Sequence, residues 1–119
     1  MFVNFSNHPS ELWDANQKEA AKQYGKILDM SFPKISVDCT SQEIKILANQ
    51  YVQEILALKP QAVLCQGEFT FVYAVVSQLR KFGIVVLSAV SDRIVQTEIT
   101  AEGTRKTSLF QFIKFRKYI

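Results

Sequence analysis

The chain carries one histidine and two cysteines, too few for the His/Cys clusters that hold zinc or iron. Cys39 and Cys65 stand far apart with no metal-type spacing around either, so a catalytic metal site is disfavoured and both thiols read as free. Cys65, at the end of a core strand, reads as a small buried hydrophobe rather than a nucleophile. Glycine is scarce, four in 119 residues. Neither G-x-G-x-x-G nor a phosphate-loop lysine motif occurs, which disfavours ordinary dinucleotide and nucleoside triphosphate binding. The G-x-S-x-G elbow of serine hydrolases is missing as well. No apolar run approaches the roughly 20 residues of a membrane span. The first apolar stretch, Phe2 to Phe5, has no basic leader and does not read as a signal peptide. The expectation is a cytoplasmic protein with no membrane partner and no bound cofactor.

What is present is the composition of one ordinary domain over residues 1–119: 48% hydrophobic and 21% charged, enough to bury a core but not two. Four short apolar runs each stop at a polar cluster. Phe2-Val3-Asn4-Phe5 stops at Ser6-Asn7-His8-Pro9-Ser10, and Ile27-Leu28-Asp29-Met30 at Ser31-Phe32-Pro33. Ala62-Val63-Leu64-Cys65 stops at Gln66-Gly67-Glu68, and Ile84-Val85-Val86-Leu87 is followed by Ser91-Asp92-Arg93. Between them lie helical patterns. One runs from Pro9-Ser10 to Gly25 with Trp13, Ala20, Ala21 and Tyr24 on one stripe. A second opens on the capping box Thr40/Glu43 and carries Ile44, Leu47, Ala48, Tyr51, Val52, Ile55 and Leu56 at one-face spacing. The third, from about Thr70 to Phe82, is apolar nearly all round, as in a fully buried helix or a subunit interface.

Buried strands alternating with helices imply an α/β fold, three-layer and Rossmann-like, around a mostly parallel sheet. Residues 94 to 118 change character. Ile94–Thr100 and Thr104–Phe115, rich in β-branched and aromatic residues around Ala101-Glu102-Gly103, predict a C-terminal β-hairpin. Apolar residues on both faces of the last strand place it inside the sheet or across an interface. The net charge is +3, and Arg105, Lys106, Lys114, Arg116 and Lys117 crowd the last fifteen residues. That basic strand reads either as a binding face or as an edge that uses charge to avoid strand pairing. Duplex nucleic acid is not an expected partner.

In open parallel sheets ligands bind beyond the carboxyl ends of the strands, so the polar clusters are the candidate site. Ser6, Asn7, His8 and Ser10 precede a helix, where unpaired amides seat an anion; Ser10 reads equally as an N-cap. His8 suits proton transfer or phosphate contact. In the second cluster, Gln66 could read a base edge, Gly67 admits close backbone approach, and Thr70 lies just beyond. Glu68 fits a dipole-complementing residue, a ribose contact or a carboxylate nucleophile. In the third, Ser91 and Arg93 follow a central strand, where the arginine fork clamps phosphate, or Asp92-Arg93 simply forms a turn. Asn4, an amide inside a buried strand, needs partners.

With N-F-S-N-H-P-S after the first strand, Q-G-E after the third, S-D-R after the fourth and a closing hairpin, the chain resembles the small Rossmann-like proteins associated with CRISPR systems, nearest to CARF-type sensor domains and stand-alone ring nucleases. That resemblance implies a homodimer that binds a cyclic oligoadenylate and, as ring nucleases do, cleaves it without metal by attack of a ribose 2′-hydroxyl on the adjacent phosphate. It implies Ser6, Asn7, His8 and Ser10 on phosphate and Arg93 on developing charge, with His8 and Arg93 as the catalytic pair. Two other expectations stand beside it: a nucleoside deoxyribosyltransferase-like or N-glycosidase enzyme with Glu68 as nucleophile, and a non-catalytic ligand-sensing module.

Overall fold

The computed structural model describes residues 1–119 as five strands and three α-helices. The strands are β1 (Phe2–Phe5), β2 (Ile27–Asp29), β3 (Ala62–Cys65), β4 (Val86–Thr100) and β5 (Gly103–Lys117). The helices are α1 (Ala15–Lys22), α2 (Ser41–Ala57) and α3 (Phe69–Lys81). The sheet order is β2-β1-β3-β4-β5, with the first four strands parallel and β5 antiparallel to β4. This is the α/β fold with a C-terminal hairpin that the alternation of apolar runs and helical periods implies.

Strand pleating divides the core. Val3, Phe5, Val63, Cys65 and Val86 face α2 and α3 in the larger cluster, with Val52, Ile55, Phe71, Val75 and Leu79. Phe2, Ala62, Leu64 and Leu87 face the other way, onto Trp13 and Ala21. The second layer is thin because α1 has only eight residues. The capping box forms: the Thr40 side chain accepts from the Glu43 amide and the Glu43 carboxylate from the Thr40 amide. No helix is long and apolar enough to cross a membrane.

Four expectations are corrected. The first helix does not start at Ser10; Ser10–Leu12 is one 3-10 turn, Trp13 is extended, and α1 begins after Asp14, whose carboxylate accepts from the Gln17 amide. An extended Trp13 buries its ring edge-on to Phe2 while the indole N–H donates to the His8 carbonyl at 3.1 Å. Helix α3 is not a fully buried helix: it buries Phe71, Val72, Val75, Val76 and Leu79, while the apolar pattern continues onto a bare face where Phe69 and Tyr73 stand exposed. Ser91-Asp92-Arg93 is not a turn after a finished strand. β4 runs through it, with a register shift at Val90/Ser91, because β5 supplies hydrogen-bonding partners all the way to Thr100. Finally, β5 is the edge of the sheet rather than an inner strand.

The paired strands therefore leave the body as an arm. Every residue from Ser91 to Gln111 is exposed. The radius of gyration is 17.1 Å and the molecule measures 57 × 37 × 24 Å, whereas a compact chain of this length has a radius of about 13.5 Å.

Candidate functional site

Strand order reverses between β1 and β3: from β1 the chain moves outward to β2, and from β3 toward β4. The loops after such neighbours diverge and leave a crevice at their carboxyl ends. A cavity of about 460 Å³ opens there on the α1 side. Ser6, Asn7 and His8 after β1, and Gln66 and Gly67 after β3, form its floor and one wall. Leu12, Trp13, Asp14 and Gln17 close a second wall, while Ala89, Ser91, Phe110 and Phe112 from the hairpin base form the third. Two smaller hollows of about 270 and 280 Å³ adjoin it, and Asn7 lines all three.

Asn4 organises the floor. Buried to 1% exposure, it donates to the His8 carbonyl at 2.9 Å and to Asp29 Oδ1 at 2.7 Å, and accepts from Ser6 Oγ at 2.7 Å. Asp29, its register partner on β2, also accepts from the Ser10 amide and hydroxyl at 3.1 and 2.8 Å. Partial burial opposes ionisation of Asp29, but the bonds from Asn4 and Ser10 outweigh it and hold the carboxyl below its ordinary value. The β1 loop is thus fixed through its backbone, with the His8 side chain exposed at the cavity.

Of the residues expected at a shared site, Ser6, Asn7, His8, Gln66, Gly67 and Ser91 line this cavity. Four do not. Ser10 is committed to Asp29. Glu68 lines a smaller hollow with Asn7 and caps α3: its carboxylate accepts from the Phe71 amide at 2.8 Å, the Thr70 amide at 3.1 Å and the Thr70 hydroxyl at 2.7 Å. Those bonds, the Phe71 amide foremost, lower its pKa. Thr70 is occupied by the same cap. Arg93 sits out on the hairpin, with Nε and Nη2 donating to Ser108 Oγ at 3.2 and 2.9 Å. His8, Glu68 and Arg93 of one chain therefore do not meet in one pocket. Gly67 also has an internal reason: a Cβ there would lie 2.3 Å from the Phe32 ring.

Gln17 was not among the expected residues. It is 9% exposed, lines the cavity, and its side-chain amide makes no hydrogen bond within the chain. It lies four residues from both Trp13 and Ala21, and a polar residue on that apolar stripe was the signal available in sequence. Gln66 is half committed, its Oε1 accepting from the Ala89 amide at 2.6 Å. Lysine and arginine are missing from the cavity wall; Asp14 is the one carboxylate. Burial raises the Cys65 thiol to about 12, which leaves it protonated and inert.

The chain belongs to the uncharacterized protein MJ1673 family, which it matches over residues 1–116. No curated protein and no solved structure matches it.

Proposed function

We propose that the cavity at the β1/β3 switch point binds an adenine-containing cyclic oligonucleotide of the cyclic oligoadenylate type, and that the protein works as a homodimer. The observation that carries this reading is the Gln17 side-chain amide, open to the cavity and without a partner in the chain, on a lining shared with Gln66, Trp13 and the Phe110/Phe112 wall. A glutamine amide pairs bidentately with the N6/N7 edge of adenine, and aromatic faces hold a base by stacking. The resemblance of the rim clusters to CARF-type sensors and ring nucleases points the same way. At 460 Å³ the cavity is at the lower end of small-ligand sites, room for about one nucleotide unit, so a cyclic oligomer needs the pockets of two chains.

His8 is the group at this cavity suited to moving a proton. In a metal-free cleavage it takes the proton of the ribose 2′-hydroxyl as that oxygen bonds to phosphorus. The P–O5′ bond breaks, the departing 5′-oxygen takes a proton from water, and a 2′,3′-cyclic phosphate remains. The glycosidase reading loses ground because the Glu68 carboxylate is taken up as a helix cap. A sensing module without turnover is the second reading, favoured by a wall with no cation to stabilise a phosphoryl transition state.

Incubation of the full chain with cyclic tetra-adenylate tests both. At a hundredfold excess over Kd, binding raises the melting midpoint by about 10 °C. Gln17→Ala abolishes that shift, and His8→Ala keeps it while abolishing linear product. Binding with no product in the wild type selects the sensor; no shift and no product overturns the proposal.

A further inference from the structure

Nine residue pairs, from Asp92↔Gln111 to Thr100↔Gly103, project from the body with both partners exposed. At strand rise this arm is about 30 Å long. Register partners share a face, so Arg93 and Phe110, Val95 and Ser108, Thr97 and Lys106, and Ile99 and Thr104 point to the same side as the pocket-lining pair Ser91 and Phe112. Val95 is 52% exposed, Phe110 76% and Ile99 89%; Ile94 and Leu109 on the opposite face and Ile113 at the arm's base add to them. At about 150–200 Å² for each fully exposed side chain, this is on the order of 600 Å² of bare apolar surface. The pocket-side face alone, Val95, Ile99 and Phe110, holds about 400 Å² of it, within the range of the largest patches monomers carry; a stable interface takes roughly 800 Å² per partner, so the polar neighbours on that face take part.

Charge selects the occupant. From Ser91 to Phe112 the arm has three acids, Asp92, Glu98 and Glu102, and three bases, Arg93, Arg105 and Lys106, so it is neutral and no clamp for a polyanion. Beside the cavity, the body presents exposed Leu12 between Glu11 and Asp14, an apolar-acidic patch matching the apolar-basic face with Phe110, Arg93 and Lys106. A surface whose complement lies on the same chain closes with two-fold symmetry. The cations along β5 discourage edge pairing, which leaves face-to-face docking.

We infer that the hairpin arm docks on a second copy of this chain, and that each chain's Arg93 serves the partner's cavity rather than its own. This deepens the ligand reading above, on which the role of Arg93 rests; the docking does not depend on it. The cavity lining lacks a cation, since the chain's own Arg93 is held away from it by Ser108 further out on the arm, and the face that docks on the second copy carries two, Arg93 and Lys106. A phosphate held there by the partner's guanidinium gains the charge-assisted, bidentate contact that its own chain does not provide.

Two measurements test this. In light scattering at micromolar concentration without ligand, wild type has twice the 13.6 kDa chain mass and Val95→Glu/Ile99→Glu has the single mass. Ile99→Lys alone weakens the dimer at least tenfold should the double variant misfold by circular dichroism. A monomeric wild type, or a dimer that survives these changes, overturns the docking. For Arg93 the probe is adenosine monophosphate, which fills one pocket: neither the Arg93→Ala nor the Gln17→Ala homodimer binds it, but the mixed dimer of the two binds one equivalent, because one of its sites has both groups intact. No recovery on mixing overturns the assignment in trans. If wild type dimerises yet ignores both this probe and cyclic tetra-adenylate, the ligand reading and the Arg93 role built on it fall while the docked arm stands.

Discussion

At the residue scale, the floor of the site is held by Asn4 and Asp29, neighbours in register on β1 and β2. An amide in a buried strand announces itself in sequence, but its partner does not, because Asp29 sits in a run that otherwise reads as apolar. The pair has a pH signature. The folded-state pKa of Asp29 lies below the ordinary 3.8, so the unfolded chain takes up this proton first as pH falls. Its stabilisation is present in full above that ordinary value and is lost as pH drops through the folded one. Asp29→Asn therefore destabilises the protein at about pH 6, and urea midpoints of variant and wild type converge as pH falls below 3.8. A gap that stays constant over that range would mean the carboxylate charge contributes nothing to the fold.

At the element scale, what decides an end is the competition among caps. The second helix was legible because Thr40 and Glu43 stand at capping-box spacing and both bonds form. The first was legible in existence but not in its start: Ser10 and Asp14 both suit a cap, and burial of Trp13 on Phe2 settled it for Asp14. Strand β4 was half legible. Polar Ser91-Asp92-Arg93 resembles a turn, and only the long-range pairing with β5, which local pattern does not encode, carries the strand through it. The same limit hid Gln17, whose meaning depends on the hairpin base closing over it. Glu68 shows how one residue fits two roles in sequence and only one in the fold. As the α3 cap, its loss in Glu68→Ala lowers the melting midpoint by about 3–5 °C, while ligand binding in the β1/β3 cavity persists. Catalytic loss without a change in melting would restore the nucleophile reading.

At the scale of the whole molecule, a radius of gyration of 17.1 Å where about 13.5 Å is expected is a statement about where the chain places its apolar residues. Both core clusters close without Ile94, Val95, Ile99, Leu109 or Phe110, so the body does not need the arm to fold. Excising residues 95–108 and joining Ile94 to Leu109 through Asn-Gly, the sequence suited to a tight hairpin, leaves a folded chain with a radius of gyration of about 13 Å by X-ray scattering. The two proteins then part in their response to concentration. Association with a second copy stabilises the folded state by mass action. The wild-type midpoint therefore rises across a hundredfold increase in protomer concentration, and the excised chain's stays level. If the excised chain instead unfolds at every concentration, the arm belongs to the core of the single chain, and its exposed apolar residues need an explanation other than a partner.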